Sequence, residues 1–354
     1  MEQVLELLRR HIPSAPLYRQ AGWSEAELNP AVPILQLSVA FGFVVFVVER
    51  VLDFRQLARY KEGADASLPD RRIPLETFFK SLDYGADKLG FGMVSSTIRM
   101  VLDLSLVFLG WLPYAWDLGA RCLDHFSLLG PQSSAIYKES LLTVAFFTIL
   151  TLQGTLVDIP FSLYSIFVIE ERHGFNKNTL PLFLKDTLLT VLLTMVIGSP
   201  VIAGIIYLAR WGGPQYYVYV WGFMFVFQLF LMTIYPEYIA PLFNKFSPLD
   251  PVTHGDLKAK IEELAARVKF PLTKLFVVDG SRRSSHSNAY MYGFGKNKRI
   301  VLFDTLLKQV TTEEIVAILG HEIGHWALWH TIQGFVIAQV GSCEKTASTL
   351  RASE

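Results

Sequence analysis

Long apolar runs separated by short polar segments fill the first two thirds of the chain. A bilayer core takes about 20 apolar residues as helix, and runs this long and numerous exceed what buried helices of a soluble protein need. The first run, residues 31–48, carries no charge. The second lies between Lys88 and Asp117 and includes Arg99 and Asp103. The third, residues 141–169, holds Asp158 and Pro160. The fourth, residues 187–209, is interrupted by Gly198-Ser199-Pro200, and the fifth, residues 211–236, is dense in Tyr, Trp and Phe. A sixth follows His325 over residues 326–340. The pattern predicts a mainly α, polytopic α-helical membrane protein.

Polar positions refine this picture. Residues 244–312 change character and predict a small α+β module. A polar amphipathic helix is expected over 256–268, with strands at 275–278, 290–294 and 299–303 and turns at Gly293, Gly295 and Asn297. Three stretches follow: residues 1–236 with five spans, residues 237–341 as a metallopeptidase module, and residues 342–354 as an atypical polar tail. The first 30 residues include Arg9, Arg10, His11 and Arg19 without an apolar core, so they do not read as a signal peptide. The loop after the first span is rich in Arg and Lys, from Arg50 to Lys88. The positive-inside rule assigns that loop and the module to the cytosol and the N-terminus to the lumen.

Charges inside spans are costly and point to a partner or a function. Arg99 and Asp103 stand four apart, on one helix face, and are expected to pair, with a role in a substrate cavity as the alternative. Asp158 beside Pro160 suggests a broken or water-facing helix.

The chemistry is concentrated at His321-Glu322-Ile323-Gly324-His325. This is H-E-x-x-H, and Thr311 to Glu314 ahead of it has capping-box spacing. Residues four apart share a helix face one turn apart, so both imidazoles reach one zinc ion, with Glu322 as general base. Two solvated histidines are the bland alternative. The apolar setting of the motif, with the helix expected to run into the sixth span, argues against that. His173 and His286 read as ordinary loop histidines. His330, five residues past His325, does not share its face. Asn288-Ala289-Tyr290 reads equally as a turn into a strand or as a strand edge that binds extended peptide.

Composition narrows the classes further. The 354 residues hold 32 basic and 32 acidic side chains, and hydrophobic residues make up 51%. The balance gives no basic excess for nucleic acid, and two cysteines give no disulfide scaffold.

Together these residues resemble the type I CAAX prenyl endopeptidases. The likeness rests on PFSLY at 160–164, FVIEERHGFNK at 167–177, YIAPLFNKF at 238–246 and FPLTKL at 270–275. It continues through SSHSNAY at 284–290, KNKRIVLFDTL at 296–306 and LGHEIGHW at 319–326. It implies a multi-pass zinc metalloprotease of the endoplasmic reticulum membrane, with helices ringed around a water-filled chamber. It implies removal of the C-terminal tripeptide from prenylated CAAX proteins or peptides, with the lipid bilayer as the second partner. It makes His321 and His325 ligands of one Zn2+ per chain, Glu322 the general base, and Asn288, Ala289 and Tyr290 a substrate edge. The family continues with a further span and a Glu that completes the metal site. After Val340 this chain instead reads GSCEKTASTLRASE. The expectation is a truncated C-terminus that lacks the third ligand. A catalytically incomplete fragment, a regulatory protein of the family, or a membrane scaffold or transporter therefore stand as alternatives.

Overall fold

The computed structural model describes residues 34–62, 74–128, 130, 133–293 and 295–351. Contacts divide the chain into two units, Met1–His173 and Gly174–Glu354.

The first unit is helical. Its helices are α1 (Ile34–Glu62), α2 (Leu75–Phe108), α3 (Trp111–His125) and α4 (Ala135–Tyr164). Helix α1 packs on α2, and α3 on α4. Gly110, at φ 77°, makes the turn between α2 and α3, a backbone conformation that glycine adopts without steric cost. Ser134 caps α4 by accepting a hydrogen bond from the Tyr137 N–H. Helix α4 stays continuous through Pro160 and then widens into a π turn, Ser165–Glu170.

Arg99 does not pair with Asp103. Its guanidinium pairs with Asp158 on α4 and lies 4.7 Å from the centre of the Phe161 ring. The carboxylate on the facing helix neutralises a charge inside a span and ties two helices together, which an i,i+4 pair on one helix would not do. At the end of the π turn, the Tyr84 hydroxyl donates to Glu170 at 2.6 Å. Arg172 and His173 both meet Asp87, at 2.7 and 2.9 Å. His173 is thus held in a polar cluster rather than standing in an open loop.

The second unit begins with α5 (Leu180–Trp211) and α6 (Tyr216–Ile234), antiparallel neighbours joined through Gly212 and Gly213. A Cβ on Gly212 would come within 2.7 Å of the Tyr216 backbone, so the tight join requires glycine. Pro200 lies inside α5 without ending it, as proline can in a membrane helix. Helix α6 widens into a π turn, Tyr235–Ile239, and a short helical turn, Ala240–Phe243.

Among the described residues, four helices are long and apolar enough to cross a membrane: Leu75–Phe108, Ala135–Glu170, Leu180–Trp211 and Gly213–Phe243. The first expected run begins outside the described residues and continues in α1. Large apolar side chains project outward from these helices; Leu156 is 70% exposed and Val196 69%. Burying each such side chain contributes roughly 1.5–3 kcal/mol, so lipid rather than water is the solvent these faces fit. This is a multi-pass membrane protein.

The rest of the unit is a compact α+β module. In chain order it contains β1 (Phe246–Pro248), α7 (Gly255–Arg267), β2 (Leu272–Val278), β3 (Ala289–Tyr292), β4 (Lys298–Phe303), α8 (Thr312–Ala327) and α9 (His330–Arg351). The sheet order is β1-β2-β4-β3, with β2 and β4 parallel and both outer strands antiparallel. Strand β1 was not expected. At three residues ending in proline it carries almost no strand signal and exists by pairing with Phe276, Val277 and Val278. The run 326–340 is not one helix, because α8 ends at Ala327 and α9 begins at His330. Helix α9 continues through Arg351, so the tail is helical as far as the described residues go.

Ile261 of α7, Ile300 and Leu302 of β4, and Ile315, Leu319 and Ile323 of α8 form the centre of the core. Leu319 is 1% exposed. Leu319→Ala is expected to cost about 2–5 kcal/mol, the usual range for emptying a buried leucine site. Chemical unfolding of the detergent-solubilised protein measures this. A loss below about 1 kcal/mol would show that α8 does not depend on this core.

Candidate metal centre

Helix α8 has a well-defined start. The Thr311 hydroxyl accepts from the Glu314 N–H, and the Glu314 carboxylate accepts from the Thr311 N–H at 2.8 Å, completing the capping box. These bonds to Thr311 hold the Glu314 carboxyl below the usual carboxylate range. Lys260 of α7 bridges to Glu313 at 2.8 Å and fixes the same end from the neighbouring helix.

Ile315, Leu319 and Ile323 recur every fourth residue and bury one face of α8 in the core. At 100° per residue, His321 and His325 fall across the helix from that stripe, and both are exposed. Trp326, next to His325, meets the Phe270 ring edge-on at 5.0 Å and anchors the end of the helix. Glu322, beside His321, is half-buried.

The His321 and His325 Nε2 atoms are 3.0 Å apart. Two imidazoles from successive turns are therefore close enough for both to reach a single ion. Imidazole donors suit zinc-like metals, so the pair fits the group its motif implies. Among the described residues, no set of three His, Cys, Asp or Glu side chains could hold a metal ion.

His330 is the residue that sequence spacing missed. Its Nδ1 lies 2.7 Å from His325 Nδ1. A continuous helix would turn residue 330 well away from residue 325. The chain instead breaks at Leu328 and Trp329, with Trp329 at φ 61°. A left-handed conformation costs a non-glycine residue roughly 1–2 kcal/mol. Nothing in the sequence announces it, since tryptophan is an uncommon choice there.

Strand β3 packs against α8 and forms one edge of the sheet. The Asn288 carbonyl accepts from the Phe303 N–H at 3.0 Å, and Tyr290 stands opposite Val301. Antiparallel alternation then directs the backbone groups of Ala289 and Met291 away from β4, to the outer edge. The Ala289 N–H donates to its neighbour's side chain, Asn288 Oδ1, at 2.8 Å. Burial pushes the Tyr290 phenol up to about 12, so it stays protonated.

The loop leading into β3 is also held. Arg283 grips Asp186 of α5 through Nε and Nη2, at 2.7 and 2.9 Å, and donates to Asn244 and the Phe243 carbonyl. His286 stacks on Phe175 with ring centres 4.3 Å apart.

Comparisons with known proteins are consistent over both parts of the chain. A family model described as "CAAX prenyl protease N-terminal, five membrane helices" matches residues 53–245, and the model for "Peptidase family M48" matches residues 251–352. A CAAX prenyl protease 1 homolog of Arabidopsis thaliana is 46% identical over 311 residues, covering 88% of this chain and 71% of the relative. The Homo sapiens homolog is 38% identical over 340 residues, covering 85% and 70%. The crystal structure of S. mikatae Ste24p superposes with a TM-score of 0.80 at 37% identity, covering 88% of this chain and 71% of that one.

Proposed function

The chain belongs to the CAAX prenyl proteases of peptidase family M48, and on that footing we propose that His321, Glu322 and His325 are the working residues of its metal centre. It is a membrane metalloprotease that processes CAAX proteins. The finer reading is removal of the C-terminal tripeptide from a prenylated CAAX protein or peptide, with one zinc ion per chain. The observation that carries the site is the 3.0 Å approach of the two Nε2 atoms.

His321 and His325 hold the ion through Nε2. When bound, zinc polarises the scissile carbonyl and acidifies a water in the site. Glu322 does the proton work. Its carboxylate takes a proton from the water as the oxygen attacks the carbonyl carbon, and it returns that proton to the amine nitrogen as the C–N bond breaks. Its half-buried position on the motif helix, beside His321, supports that role.

Asn288, Ala289 and Tyr290 serve as the substrate edge. An extended peptide adds to β3 by backbone hydrogen bonds at Ala289 and Met291. The Asn288 side chain holds the Ala289 N–H until a substrate carbonyl replaces it.

The Lys and Arg distribution supports a cytosolic module and a lumenal segment ahead of α1, and membership of this family supports the endoplasmic reticulum membrane.

Glu322→Gln is expected to lower cleavage of a farnesylated CAAX peptide by about 10²–10⁴ relative to the unaltered chain, with bound metal unchanged. Gln keeps the shape but does not accept the proton. Near-unaltered cleavage would remove Glu322 from the mechanism. For orientation, a glycosylation reporter ahead of α1 should be modified and one near Lys258 should not. The opposite pattern would reverse the topology.

A further inference from the structure

We infer that His330 is a positioning residue for the metal centre: it accepts a hydrogen bond from His325 Nδ1 and so keeps the His325 Nε2 lone pair turned to the ion. The inference rests on the metal-centre reading above and goes beyond its three residues.

The two nitrogens of the His325 ring face different partners. Nε2 lies 3.0 Å from His321 Nε2, on the side where the two ligands converge. Nδ1 lies 2.7 Å from His330 Nδ1, on the other side. A neutral imidazole carries one N–H and one lone pair. Ligation by Nε2 leaves the proton on Nδ1, where it needs an acceptor. His330 Nδ1 is at hydrogen-bond distance, and its own proton then sits on Nε2. The rings meet at 62° with centres 5.0 Å apart, so they join through their edges rather than by stacking.

The backbone supplies an independent argument. His330 reaches His325 only because the chain reverses hand at Trp329. That conformation is fixed by several bonds. The Leu328 N–H donates to the Gly324 carbonyl at 3.0 Å, and the Trp329 N–H to the Trp326 carbonyl at 3.0 Å. The Gln333 N–H donates to the Trp329 carbonyl at 2.9 Å, while Gln333 Nε2 donates to the Leu328 carbonyl at 3.1 Å. A bulky residue in a left-handed conformation is strained, and such strain persists where the surrounding structure holds it for a purpose. Here it swings the first residue of α9 back over the second histidine of the motif.

The test uses the full chain in detergent, with Zn2+ as the probe and competition against a chromophoric chelator as the readout. Asn and Leu are close in shape, but only Asn offers an acceptor. His330→Leu is expected to weaken Zn2+ affinity by about 10–100-fold, and His330→Asn to recover most of that loss. A role that depended on ring volume would affect both variants alike, so equal affinities for the two, whether high or low, overturn the inference. His325→Ala is measured in parallel. If it loses zinc while His330→Leu and His330→Asn bind alike, only the role of His330 falls. If it binds zinc as the unaltered chain does, the metal centre itself is wrong and the role of His330 falls with it.

Discussion

The burial of Ile315, Leu319 and Ile323 in the core of the module is the contact on which the site depends. A helix can present only one face to a core, and these residues decide which face that is. Helical geometry then places His321 and His325 on the opposite side, one turn apart. The capping box fixes where the helix starts, and Trp326 against Phe270 fixes where it ends. This seating puts the two imidazoles on one face, where their Nε2 atoms come within 3.0 Å of each other.

The membrane region follows a different constraint. In lipid the apolar faces need no protein partner, so large side chains such as Leu156 and Val196 stay exposed on the chain. Charges are what must be paired. Arg99 finds Asp158 on another helix, and Asp87 collects Arg172 and His173 at the end of a π turn. In the second unit, Arg283 ties the N-terminal part of α5 to the loop that feeds β3. A charged residue near the start of a membrane helix thereby steadies the strand beside the motif helix.

Much of this was legible in the sequence, for identifiable reasons. Apolar runs of spanning length and short apolar runs such as Leu275 to Val278 are local signals, and they gave the polytopic class and the strands. The i,i+4 histidines needed only a regular helix between them. What escaped depended on contacts distant in sequence or on an unusual backbone. Asp158 is 59 residues from Arg99, and no spacing rule links them. Pro160 and Pro200 suggested breaks, but a helix in lipid absorbs proline. His330 escapes because its spacing places it near His325 only when the helix is interrupted, as it is by the left-handed backbone of Trp329.

The central claim is that His321 and His325 bind one ion through Nε2. X-ray absorption at the zinc edge of the purified, zinc-loaded chain tests it most directly. The account predicts Zn–N distances of about 2.0–2.1 Å with multiple scattering from two imidazole rings, reduced to one in His321→Ala. A spectrum without imidazole scattering, or one that His321→Ala leaves unchanged, would contradict it.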